Sequence, residues 1–146
     1  MKRHLSAVLL AAACAFALPA QARDERGMYS IVEALNTPEA RERLDQGVKL
    51  YFGAQRAPRQ SRDFGEWKTN KKTNAVGKSD KEACQWAFLS AVLEMQERAR
   101  KEGGNAVVGI LSNYKNTETS SESEFMCGAG NIMAGVALKG KVVKLK

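Results

Sequence analysis

A chain of 146 residues, 44% apolar by composition and carrying a net charge of +7, has material for one packed core under a basic surface. Its one histidine, His4, and one of its three cysteines, Cys14, fall within the first 22 residues. If that segment is removed, Ser-His-Asp and Cys-His catalysis are excluded and too few ligands remain for a structural zinc site.

Residues 1–22, MKRHLSAVLLAAACAFALPAQA, read as a secretory signal peptide. Lys2, Arg3 and His4 form the charged start, Leu5 to Leu18 carries no charge, and Ala20-Gln21-Ala22 supplies the small residues of a cleavage site after Ala22. A membrane anchor would need a longer span and a charged stop flank. Lipidation at Cys14 is the weaker alternative, because the apolar run continues past it through Phe16 and Leu18. The expectation is a single periplasmic domain, residues 23–146, with no integral membrane segment after maturation. Loss of Lys2 and Arg3 leaves 21 basic residues against 16 acidic ones, a net +5. Such a surplus favours anionic partners, which outside the cytoplasm are phospholipid head groups, lipopolysaccharide or acidic cell-wall polymers before nucleic acid. Solubility alone is the plainer reading of the same charge. In an oxidising compartment, Cys84 and Cys127 are most simply one disulfide, closing a loop of about 43 residues and contributing roughly 4 kcal/mol on the chain-entropy account.

Arg23 to Gly27 is polar and reads as a loose terminus, followed by a short apolar stretch from Met28 to Leu35. Thr37-Pro38-Glu39 opens a short helix to about Leu44, with an N-cap, a proline in the first turn and an acid at the positive helix end. Val48 to Phe52 reads as a strand, Gly53 to Arg62 as a surface loop, and Phe64 to Asn70 as a second strand. Ser79-Asp80-Lys81-Glu82 has the form of a capping box, and Ala83 to Glu102 then runs without Gly or Pro until Gly103-Gly104. Trp86, Leu89, Val92 and Leu93 mark its apolar side, while Glu94, Glu97, Arg98 and Lys101 lie largely on another. Ala106 to Leu111 is a continuous apolar run suited to a central strand, and Asn113 to Glu124 a polar loop. Beyond Cys127, alternation through Ile132 to Leu138 reads as a strand. The spacing of Lys139, Lys141, Lys144 and Lys146 predicts a sheet edge with one charged face.

Two stretches imitate a phosphate-binding loop. Gly135 to Lys141 spells G-x-x-x-x-G-K, but Val142 replaces the hydroxyl and five residues cannot form the following helix. Gly77-Lys78-Ser79 does lead into a helix, but Lys72 stands where the first glycine belongs. No nucleotide, cofactor or metal is expected, although a single anion could rest on the helix start at Ser79.

The segments VKLYFG, WKTNKKTNAVGKSDKEACQWAFLSAV, QERARKEGGNAVVGI and IMAGVALKGKVVKL, between Val48 and Lys146, resemble a family of small exported proteobacterial proteins. That family often carries an inherited label as an excinuclease ATPase subunit, which the signal peptide and the missing phosphate loop contradict. More loosely, ERARKEGGNAVVG with the strand and cysteine-bearing segment after it is similar to the periplasmic domain of the Rcs outer-membrane stress-sensor lipoprotein and to the YbjQ-like fold. This second resemblance implies a helix on a small sheet and a disulfide between a cysteine at the helix start and one beyond the next strand, positions that Cys84 and Cys127 match.

Together these readings predict an α+β fold, with one long helix packed on a small, mostly antiparallel sheet and one short N-terminal helix. The function expected is a non-enzymatic binding or envelope-stress module, whose partner is an anionic envelope component or an envelope protein. Its candidate surface is Lys68, Asn70, Lys71, Lys72, Asn74, Lys78 and Ser79, a stretch that reads equally as a solvated strand and turn. The alternative is a hydrolase using Ser, Lys or acids such as Glu118, Glu122 and Glu124. No catalytic residue is assigned.

Overall fold

The first strand pair shows how far apart in sequence the partners of this sheet lie. In a computed structural model that describes residues 23–146, β1 (Glu25–Ser30) runs antiparallel to β6 (Glu124–Ala129), with Glu25 opposite Ala129. The expected signal segment, cleavage at Ala22 and lipidation at Cys14 lie outside the described residues. Between these two strands come α1 (Ile31–Leu35), α2 (Pro38–Arg43), β2 (Lys49–Phe52), β3 (Gln60–Asn74), α3 (Asp80–Glu102), β4 (Ala106–Tyr114) and β5 (Thr117–Thr119). The last strand is β7 (Met133–Leu145).

Each helix starts where a side chain can replace a missing backbone partner. The Ser30, Thr37 and Ser79 hydroxyls accept the amides of Glu33, Ala40 and Glu82, respectively. Helix α3 ends at Gly103, whose φ of +83° closes the last turn by donating to the Ala99 and Arg100 carbonyls.

Strand β7 organises the sheet. One side of it is paired with β3 from Gln60↔Leu145 to Asn74↔Met133. On its other side β4 takes the C-terminal half, Val143 to Leu138, and β6 the N-terminal half at Gly135 and Ala134. Handing one side of β7 from β4 to β6 curls the seven-stranded sheet, and β2 joins β4 in parallel to make it mixed.

Helix α3 covers one face. Its buried Ala83, Ala87, Ala91 and Ala99 let it approach closely, and its Phe88, Val92 and Met95 pack with Val107, Ile110, Val136, Leu138 and Val142 of the sheet. Phe88 stacks on Phe125 with ring centroids 4.0 Å apart. Beside that stack, Cys84 and Cys127 are joined in a fully buried disulfide that ties the start of α3 to β6. Gln96, also buried, accepts the Asp45 amide and donates to the Asp45 and Val48 carbonyls, clamping the α2–β2 connection to the helix. Among the described residues no helix is long and apolar enough to cross a membrane.

The expected fold class requires correction. Among the described residues strands make up 45% and helices 27%, the sheet is a curled, mixed array of seven strands, and there are three helices, not one long helix on a small, mostly antiparallel sheet with a single short helix before it. The physical reason is that polar segments found strand partners far away in sequence. Arg23 to Gly27 is not a loose terminus, because β1 begins at Glu25. The loop expected up to Arg62 yields to β3 at Gln60, and the polar loop from Asn113 holds the β4–β5 hairpin. Nor do the lysines after Leu138 mark an edge, since β7 is flanked on both sides.

Candidate functional site

Strand alternation decides what the basic stretch on β3 can do. Register pairs Lys68 with Lys139, Asn70 with Ala137 and Lys72 with Gly135, all on the face away from α3. Thr69 and Lys71 point the other way, toward the helix, where the Thr69 hydroxyl donates to Glu94 at 2.9 Å and Lys71 pairs with the same carboxylate at 2.6 Å. These partners hold the Glu94 carboxyl below the usual carboxylate range, although burial opposes them. Lys78 sits in the turn before α3 and donates to the Asn74 carbonyl at 3.0 Å. Ser79 is occupied as the helix cap, next to Asp80 and Glu82 in the first turn, so that helix start already carries negative charge. The candidate residues therefore go to three places, and Lys68, Asn70 and Lys72 share the open face with Asn74, which stands opposite Met133.

The structure adds to them residues that β3 gives no hint of. The β4–β5 hairpin turns through Lys115 and Asn116, both left-handed with φ of 49° and 61°, the geometry of a tight two-residue turn. That turn brings Lys115, Asn113 and Asn116 beside Lys68, Asn70 and Ala137, around a shallow depression of about 230 Å³. Next to it a larger groove of about 410 Å³ is lined by Lys72, Tyr114, Lys115, Ile132, Met133 and Gly135, among others.

The floor of the groove is a glycine pair, Gly128 opposite Gly135. Tyr114 lies across it, and a Cβ at Gly128 would stand 1.9 Å from the Tyr114 hydroxyl, so glycine is required there. The Tyr114 hydroxyl donates to Asp24 at 3.0 Å, and Lys115 pairs with the same carboxylate. The guanidinium of Arg26 and the ammonium of Lys115 stand 5.4 and 5.5 Å from the ring centroid. Lys115 and Tyr114 hold the Asp24 carboxyl below its usual range. Burial, and then the bond to Asp24, push the Tyr114 phenol up. At neutral pH the carboxylate is charged, the phenol is neutral, and Tyr114 is a fixed wall of the groove.

Charge is compensated unevenly along this face. At one end Lys139 lies between Glu118 and Glu66, the latter at 3.5 Å, and Lys141 pairs with Asp63 at 3.3 Å. Glu118 raises the affinity of Lys139 for its proton. At the groove end Lys68 and Lys72 are exposed and have no carboxylate partner among the described residues. An anion arriving at this end meets cations that are not already satisfied.

Among the described residues no cluster of three His, Cys, Asp or Glu side chains is placed to hold a metal ion. The stretch from Gly135 to Lys141 that imitates a phosphate loop lies inside β7. Tyr114, Lys115 and Asp24 were not singled out from sequence. The signal that could have found the first two is the Asn-containing turn in Leu111-Ser-Asn-Tyr-Lys-Asn-Thr-Glu-Thr119, which reads as a hairpin once its two halves are taken as strands. Comparison with protein families, characterised proteins and solved structures finds no match to this chain.

Proposed function

We propose that this chain is an exported, non-enzymatic binding module of the cell envelope that receives an anionic envelope component on the open face of its sheet. The observation that carries the reading is the convergence of Lys68 and Lys72 from β3, neither with a carboxylate partner among the described residues, with Lys115 from the β4–β5 turn, which pairs with Asp24, beside a groove of about 410 Å³. Lys68 and Lys72 stand on a strand paired along its length with β7, and Lys115 on the tight turn of a hairpin, which suits a preformed recognition surface. A periplasmic location is supported by the signal-like first 22 residues and by a disulfide that an oxidising compartment would maintain.

The test uses the full chain expressed for export and recovered from a periplasmic extract. Intact mass should show a chain that begins at Arg23 and is alkylated at two cysteines only after reduction. Binding of polyphosphate, followed by fluorescence anisotropy at low salt, should weaken about tenfold or more in Lys68→Gln/Lys72→Gln/Lys115→Gln, and should fade as ionic strength rises. Thermal stability should stay unchanged, because the first two side chains make no ion pair and the third makes an exposed one. Equal affinity for the variant and the parent would overturn the assignment of the anion to this face.

A further inference from the structure

The end of the sheet that carries the uncompensated lysines also carries the most exposed aliphatic side chains of the sheet and its turns. Ile132 is 68% exposed, Val76 60% and Met133 45%. Two turns place them side by side. The Ala75 amide donates to the Ile132 carbonyl at 2.7 Å, and Asn74 opposite Met133 is the last register pair of β3 and β7. Val76 itself stands on a turn fixed by its amide donating to Asn74 Oδ1 at 2.9 Å. Aliphatic side chains held out on rigid turn tips, grouped and not scattered, mark a surface that meets another apolar phase.

Charge complementarity says which phase. Behind the tips stand Lys72, which lines the groove with Ile132 and Met133, then Lys115 and Lys68, while Lys78 lies in the Val76 turn. Nearby acids are engaged: Asp24 with Lys115 and Tyr114, and Asp80 with Arg23. An apolar tip backed by lysines is the arrangement that enters the acyl boundary of a bilayer while its cations reach the head-group phosphates. The groove between tip and lysines, floored by Gly128 and Gly135, has room for a head group.

We propose that this end of the domain docks on an anionic lipid surface. Val76, Ile132 and Met133 enter the acyl boundary, and Lys68, Lys72, Lys78 and Lys115 lie at the level of the phosphates. This rests on the anionic-ligand reading above and names the lipid bilayer as the source of the anion.

The experiment is vesicle co-sedimentation of the protein recovered from the periplasm, with phosphatidylethanolamine vesicles with and without phosphatidylglycerol, and with soluble polyphosphate as a second probe. The expected result is partition that requires phosphatidylglycerol. It should fall about tenfold or more in Val76→Ser/Ile132→Ser and fall also in Val76→Ser alone, while Val76→Ser, whose side chain does not line the groove, binds polyphosphate as the parent does and keeps its melting temperature. Partition that depends on phosphatidylglycerol but is unchanged in Val76→Ser/Ile132→Ser would overturn the insertion of the apolar tip. Polyphosphate binding without vesicle partition would overturn the lipid surface and leave the anionic-ligand reading standing. Failure of both probes would overturn the two together.

Discussion

On the side facing α3, β7 presents Ala134, Val136, Leu138 and Val142 to Phe88, Val92 and Met95, all within one buried cluster. On its other side the same strand presents Met133, Gly135, Ala137, Lys139 and Lys141 to grooves open to water. The two faces differ by a shift of one residue along one backbone, so a single strand holds the core and the candidate binding surface at once. Rigidity on the open face comes from the covered one. Lys68 and Lys72 keep their spacing because Trp67, Thr69 and Lys71, which alternate with them, are pinned under α3, Trp67 beneath Arg98 at 4.1 Å and the other two by Glu94.

Breaking the covered face should cost far more stability than any change to the open one. Cys84→Ser removes the tie between α3 and β6, and should lower unfolding free energy in oxidising buffer by about 4 kcal/mol. Urea denaturation with and without reductant checks this. The parent should lose a similar amount on reduction, and the variant should not respond to it. Phe88→Ala opens a cavity beneath Phe125 and Phe52 and should lower stability by about 3 kcal/mol in the same assay.

The smallest effect belongs to the open face and depends on acid. The folded-state pKa of Asp24 is lowered, so the tie it makes to Lys115 and Tyr114 is fully present above the ordinary carboxylate pKa of about 4. It is lost as pH falls through the lowered value. Tyr114 ring resonances in NMR should therefore move as pH drops below about 4. In Asp24→Asn they should stay flat over that range.

Legibility in the sequence followed distance along the chain. Thr37-Pro38-Glu39 and Ser79-Asp80-Lys81-Glu82 mark helix starts that the structure contains, because a cap acts across three residues. Ala106 to Leu111 belongs to the interior strand β4, since a run of apolar residues has nowhere else to go. The stretch from Gln60 to Asn74 gave a weaker signal. Its charged and amide side chains hide a long strand, and a bulge at Asp63 to Gly65 breaks its alternation. Of the candidate surface, Lys68 and Lys72 were readable as basic residues. Nothing local could assign Lys71 to Glu94 or bring Lys115 alongside, because those neighbours lie 23 and about 45 residues away.

By itself, then, the sequence determined the helix caps, the apolar segments that had to be buried, the basic balance and the cysteines available for pairing. These follow from side-chain chemistry and from interactions within one or two turns of chain. Only the tertiary structure decided the size and mixed direction of the sheet and the sorting of the β3 lysines between a covered face and an open one, whereas the joining of Cys84 to Cys127 was already expected from the two cysteines left after the first 22 residues. Those depend on register between strands far apart in sequence, where a shift of one residue reverses which side chains meet water.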